Sequence, residues 1–83
     1  MSERRVSDFN TLAVLDAMRI RALRSERKGR YWEFFKESEA APLIADYESG
    51  ALSIPVRDFV AALGRVKTRI FESERASHGV GNV

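Results

Sequence analysis

The sequence predicts an all-α fold, a small helical domain in which two long antiparallel helices, about 7–28 and 55–75, are joined by two short helices. No glycine or proline interrupts residues 7–28, where good helix formers such as Leu, Ala, Met and Arg predominate. The apolar residues of the last third of the chain recur with a helical period. Between these segments, Pro42 and Gly50 suit a helix start and a helix end.

The first long helix is expected to begin after a helix-capping residue and to end at a glycine. Ser7 or Asp8 is the first side chain that can accept hydrogen bonds from free backbone amides, and Gly29 is a suitable stop. A short helix then opens at Tyr31, because its aromatic residues fall at i, i+3 and i+4. Pro42 is placed in the first turn of the next helix, which ends at Gly50.

The last long helix carries the clearest periodic signal in the sequence. Ser53 can cap it and Pro55 lies in its first turn. One stripe contains its apolar residues: Val56, Phe59, Val60, Leu63, Val66, Ile70 and Phe71. These residues stay in phase through Gly64, which predicts one uninterrupted helix. The alternative is a helix-turn-helix-like unit over 54–71, with Gly64 in the turn.

The length and composition of the chain predict one small domain. With 83 residues and no cysteine, the chain must rely on packed helices or on oligomerisation. We expect a flexible N-terminus over 1–6, a helical domain over 7–76 and a flexible tail over 77–83. The absence of cysteine and of a long apolar run indicates a soluble cytoplasmic protein without a membrane segment.

The basic side chains are clustered, although the formal net charge is only +2. Six of them fall within twelve positions, opposed there only by Glu26: Arg19, Arg21, Arg24, Arg27, Lys28 and Arg30. Such a cluster can neutralise phosphates, and Tyr31 and Trp32 beside it can stack on bases. Arg65 and Arg69 are further candidate nucleic-acid contacts. We favour the other interpretation, in which the cluster is a solvated helix end and the aromatic residues form the core.

The first helix has two apolar sides instead of one. Phe9, Leu12 and Ile20 belong to one stripe. The second stripe lies nearly opposite and contains Val14, Leu15, Met18 and Ala22. A helix on one small core needs a single apolar stripe, so the second is a candidate protein interface.

No combination of residues indicates catalysis, a metal or a cofactor. His78 is the only histidine and lies in the expected tail. Glu33 and Glu37 share a helix face at i, i+4, but no histidine near them completes a metal site. The glycines are scattered singly, which excludes a glycine-rich phosphate loop. We therefore expect a protein that is not an enzyme and takes no cofactor, metal or small-molecule substrate.

The sequence leaves two functions open. The first is a regulatory or interaction protein that acts through self-association or a protein partner, in the size class of antitoxins and small inhibitor proteins. The alternative is a nucleic-acid-binding protein that uses the basic cluster at 19–30 or the unit at 54–71.

Overall fold

The protein is a mixed α/β domain, so the all-helical prediction is wrong. The structure, a computed structural model, describes the backbone of residues 2–81 and the side-chain surroundings of residues 2–75. Its elements are, in order, β1 (Glu3–Val6), α1 (Phe9–Ala17), β2 (Arg24–Lys28), β3 (Arg30–Lys36), α2 (Glu37–Ser49) and α3 (Val56–Gly81). The three strands form one antiparallel sheet in the order β1-β3-β2, with β3 at its centre.

The hairpin of β2 and β3 replaces both the second half of the predicted first helix and the predicted aromatic helix. Gly29 makes the turn with φ +80°, a backbone conformation that glycine adopts without strain. Along β3, Tyr31, Glu33 and Phe35 are buried, whereas Trp32 and Phe34 are half-buried on the other face. The aromatic residues therefore follow the two-residue period of a strand. Because one of the three buried residues is a glutamate, the two-residue period is not apparent when only the apolar residues are considered.

The N-terminal segment is a strand instead of the flexible end that the sequence predicts. β1 pairs with β3, and Val6 is buried in the core. On the same inward side, the Arg4 guanidinium donates to both carboxylate oxygens of Glu37, at 2.8 and 2.7 Å. The first six residues show no periodicity, and their partners lie about 30 residues away, so local sequence patterns do not predict these contacts.

Helix α1 begins where the sequence predicts and ends much earlier. The Asp8 carboxylate accepts from the Thr11 amide at 2.9 Å, which confirms the predicted N-cap. The helix ends in a Schellman motif, in which the Ile20 amide donates to the Leu15 carbonyl and the Arg19 amide to the Asp16 carbonyl. Arg19 takes the left-handed conformation, with φ +64°.

Helices α2 and α3 fulfil part of the prediction. Gly50, with φ +81°, caps α2 as predicted, but Pro42 lies inside that helix and not in its first turn. α3 runs without interruption through Gly64, which confirms the single helix and contradicts the helix-turn-helix-like unit at 54–71. It continues to Gly81, through most of the predicted tail at 77–83. Residues 82 and 83 lie outside the described residues.

The core lies between the helices and one face of the sheet. Its buried members come from every element except β2: Val6, Leu12, Ala13, Leu15, Tyr31, Phe35, Ala40, Ile44, Ala62 and Val66. α1 packs against α3 and α2, and α2 packs against β1 and β3. The shortest dimension of the molecule is only 17 Å. This small thickness is consistent with one layer of helices on one layer of sheet, with the other face of the sheet exposed to solvent.

Candidate functional site

The sheet has an outer face that carries aromatic and charged side chains. Side chains of neighbouring strands that pair directly point to the same face, so the register identifies its members. The outer face contains Glu3, Arg5, Arg24, Glu26, Lys28, Arg30, Trp32, Phe34 and Lys36. Trp32 and Phe34 do not belong to the core cluster or to the residues packed against it. In the described part of the chain, the helices contribute to the core on the opposite face.

Two aromatic rings occupy the middle of the outer face, each beneath an arginine. The Arg5 guanidinium lies 4.3 Å from the centroid of Trp32, with Arg30 at 5.8 Å from the same ring. The Arg24 guanidinium lies 3.8 Å from the centroid of Phe34. Because Trp32 and Phe34 stand two residues apart on one strand, their backbone positions are about 6.6 Å apart along β3. The arrangement is a pair of flat apolar surfaces that are bordered by cations.

The outer face is positively charged. It holds five basic side chains, Arg5, Arg24, Lys28, Arg30 and Lys36, against the carboxylates of Glu3 and Glu26. Glu3 is already engaged, because Arg24 donates to its carboxylate at 3.0 Å. An approaching anion therefore meets an excess of cations around the two rings.

The inner face of β3 holds a hydrogen-bonded network around a buried carboxylate. Glu33 is only 2% exposed, and it accepts from the Tyr31 hydroxyl and from Arg69 Nε, the latter at 2.7 Å. Arg69 also lies 3.5 Å from the Asp16 carboxylate, which accepts from Arg65 Nε at 2.7 Å. Burial, followed by the hydrogen bond to Glu33, raises the pKa of Tyr31 to about 12. The network fastens β3 to α3 and to the end of α1.

The structure assigns the predicted interface residues of the first helix to different environments. Val14 and Leu15 are buried in the chain's own fold, at 1% and 0% exposure, so no partner can reach them. Met18 is exposed and Ala22 is half-buried, both outside the shortened helix. The two apolar sides of this segment are explained by α1 being enclosed by its own chain.

The predicted nucleic-acid contacts are divided among three places. Arg24, Lys28 and Arg30 belong to the outer face, as do Trp32 and the unpredicted Arg5, Phe34 and Lys36. Arg19 and Arg21 line a cleft on the inner side of the sheet, where Arg65 and Arg69 pair with acidic groups. Arg27 points inward and lies 3.7 Å from Glu74. Tyr31, a base-stacking residue only in the nucleic-acid interpretation, is in the core with Phe35, as the favoured interpretation expects, whereas Trp32 and Phe34 are not.

A two-residue period could have revealed the outer face in the sequence. Trp32 and Phe34 alternate with Tyr31, Glu33 and Phe35 directly after Gly29, which is a hairpin pattern. The contribution of Arg5 could not be read in this way, because it depends on pairing between β1 and β3, far apart in the chain.

The chain was also compared with known proteins. No family model, curated protein or solved structure matches it. Within residues 2–81, no helix is both long and apolar enough to cross a bilayer. The site must therefore be interpreted from its own geometry.

Proposed function

We propose that the protein binds single-stranded nucleic acid on the outer face of its sheet. The observation that carries this proposal is the open face of β3, where Trp32 and Phe34 stand side by side among basic residues. Aromatic rings on an exposed sheet stack on unpaired bases, and surrounding cations neutralise the phosphates. Both requirements are met by one surface.

The arginines that now cover the rings do not prevent base stacking. An exposed cation–π contact is worth about 0.5–1 kcal/mol, whereas stacking of a base on an aromatic side chain is worth about 1–3 kcal/mol. Exchange of the Arg5 guanidinium for a base is therefore favourable. The displaced arginine remains close enough to contact a phosphate or to stack on the second side of the base.

The geometry favours a single strand over a duplex. The bases of a duplex are stacked on one another, so their flat faces are not available to Trp32 and Phe34. The alternative mode, a recognition helix in the major groove, loses its support because α3 is continuous and its Arg65 and Arg69 are held by Asp16 and Glu33.

Association with a protein is the second candidate, supported by a surface of α3. Val56, Val60 and Phe71 are 78%, 58% and 60% exposed on that helix. They lie on neighbouring positions of the helical wheel, beside the stripe that packs on the core. The interface predicted on the first helix no longer supports this function, since its two central residues are buried.

The absence of catalysis and a cytoplasmic location remain predictions alongside the proposal. The lack of cysteine supports a reducing compartment. Nothing in the proposed binding mode requires a cofactor, a metal or a chemical step.

Fluorescence of Trp32 tests the proposal directly, because this is the only tryptophan in the chain. We expect oligothymidylate to quench the emission saturably at low salt. Binding should weaken steeply with added salt, since phosphate contacts release counterions. A duplex of the same length should bind with much lower affinity.

Matched variants separate stacking and charge from general effects. Phe34→Ala should weaken binding about 5- to 100-fold, as expected for loss of one stacked base, whereas Phe71→Ala removes an exposed ring elsewhere and should not. Arg5→Gln should reduce the salt dependence and Arg57→Gln should not, because Arg57 is exposed in the first turn of α3 and is not a residue of the outer face. Unquenched Trp32 at saturating oligonucleotide, or equal effects of the paired variants, would refute the proposal.

A further inference from the structure

The inner side of the sheet contains a cleft that the proposed function does not use. It lies where the segment after α1 passes β2, β3 and α3, and its volume is about 770 Å³. Sites for small ligands typically have volumes of about 300–1,000 Å³. Buried Phe35 and half-buried Ile20 contribute apolar surface to the lining. The cleft is large enough for a ligand of nucleotide size.

The lining of the cleft has an excess of positive charge. Its guanidinium groups are those of Arg19, Arg21, Arg65 and Arg69, since the Arg24 guanidinium lies over Phe34 on the outer face, and its acidic residues are Asp16 and Glu33. Both carboxylates are already occupied, Glu33 by Tyr31 and Arg69, and Asp16 by Arg65 and Arg69. Arg19 and Arg21 form no ion pair with another described side chain. Their guanidinium groups are therefore available to an anion.

The backbone conformation of Arg19 is a separate observation in favour of a functional role for its side chain. This residue occupies the left-handed position that ends α1, with φ +64°, where glycine is the usual residue. The other two positive-φ residues that the described chain contains are glycines, Gly29 and Gly50. An arginine in this conformation is strained, and such strain is typically retained at functional sites. Here the strained residue is an arginine that lines the cleft.

We propose that the cleft binds a phosphate monoester, with Arg19 and Arg21 as the ligating cations. A phosphate monoester carries nearly two negative charges at neutral pH, and guanidinium groups bind it through paired hydrogen bonds. Arg65 and Arg69 are positioning residues, because their ion pairs with Asp16 and Glu33 fix the wall and neutralise the acids. The monoester belongs either to a free nucleotide or to the phosphorylated end of a nucleic-acid strand.

Calorimetry with adenosine 5′-monophosphate and with adenosine tests the site on the intact protein. The nucleotide should bind about tenfold or more tightly than the nucleoside, since one charge-assisted pair of this kind corresponds to at least that factor. Arg19→Gly should weaken nucleotide binding by a similar factor while the thermal midpoint stays equal or rises, because glycine removes the backbone strain. Loss of the fold therefore cannot be mistaken for loss of the site. Arg57→Gln removes one positive charge from a residue that does not line the cleft and should leave the affinity unchanged.

Two oligonucleotides of one sequence, with and without a 5′-phosphate, distinguish the sources of the monoester. A preference for the phosphorylated strand supports a strand end, whereas binding of the nucleotide alone supports a free ligand. Equal affinity for adenosine and its monophosphate would overturn the inference, as would equal weakening by Arg19→Gly and Arg57→Gln.

The site does not rest on the proposed outer-face function. Trp32→Ala removes a base-stacking ring from the outer face, so nucleotide binding that persists in this variant and is weakened when Arg19→Gly is added belongs to the cleft. Failure of oligothymidylate to quench Trp32, with nucleotide binding retained, would refute only the outer-face proposal.

Discussion

Glu33 illustrates how one residue determines the local structure of this chain. A buried carboxylate is costly unless it is hydrogen-bonded and paired. Here the Tyr31 hydroxyl and the Arg69 guanidinium both donate to it, and in the described part of the chain no buried side-chain polar atom lacks a partner. Removing Arg69 alone would leave the charge on Glu33 uncompensated. The glutamate therefore favours the strand conformation of β3, which puts Tyr31 two residues away on the same face, and the packing of α3 opposite that face.

The Tyr31 hydroxyl gives a residue-scale prediction. In a Tyr47→Phe variant, Tyr31 is the only tyrosine, and absorbance should report its ionisation at about pH 12. The ordinary value is about 10. Replacement of Glu33 by Gln should lower the midpoint, because a nearby negative charge disfavours the phenolate.

The raised pKa of Tyr31 also affects stability. Its contribution is complete below about pH 10, the unfolded pKa, and is lost as the pH rises toward about 12, the folded pKa. Circular dichroism over the same range should follow this loss. A titration midpoint near 10 in a protein that is still folded would contradict the network.

At the scale of elements, α1 has the sequence pattern that is most easily misinterpreted, because its two apolar sides resemble an interface with a partner. Leu12, Ala13, Val14 and Leu15 are four consecutive buried residues, so one full turn of the helix is enclosed on all sides by the rest of the chain. From the sequence alone, an enclosed helix and a helix with a partner on one side look the same. The distinction depends on how much of the chain packs around it.

Two substitutions in this segment separate the alternatives. Leu15→Ala should destabilise the fold by about 2–5 kcal/mol, the usual cost for a buried leucine. Met18→Ala, at an exposed position, should change stability by less than about 0.5 kcal/mol. Denaturant unfolding at two protein concentrations measures both effects. A loss for both variants that depends on protein concentration would instead indicate an oligomer interface here.

At the scale of the whole molecule, the sheet depends on its N-terminal strand. β1 supplies one edge of the sheet, the buried Val6 and the Arg4–Glu37 ion pair. The Arg4 guanidinium lowers the pKa of Glu37 through their hydrogen bonds. This contribution is present at neutral pH and is lost as the pH falls through the lowered value.

Two matched valines test whether the N-terminus is part of the fold. Val6→Ala should cost about 1–2 kcal/mol, from the apolar groups that leave the core, and should lower the thermal midpoint by about 5–15 °C. Val56→Ala removes the same groups from an exposed position and should be nearly neutral. Equal midpoints for the two variants would mean that residues 3–6 are not docked.

The sequence by itself determined the features that depend on neighbouring residues: the Asp8 cap, the glycine end of α2 at Gly50 and the continuous α3. Each follows from hydrogen bonding or periodicity within a few residues. Only the tertiary structure decided the sheet, because its strands are paired across long stretches of chain and β2 has no buried residue of its own. The outer face likewise depends on register, since Arg5, Trp32 and Arg24 meet only after three separate strands have aligned.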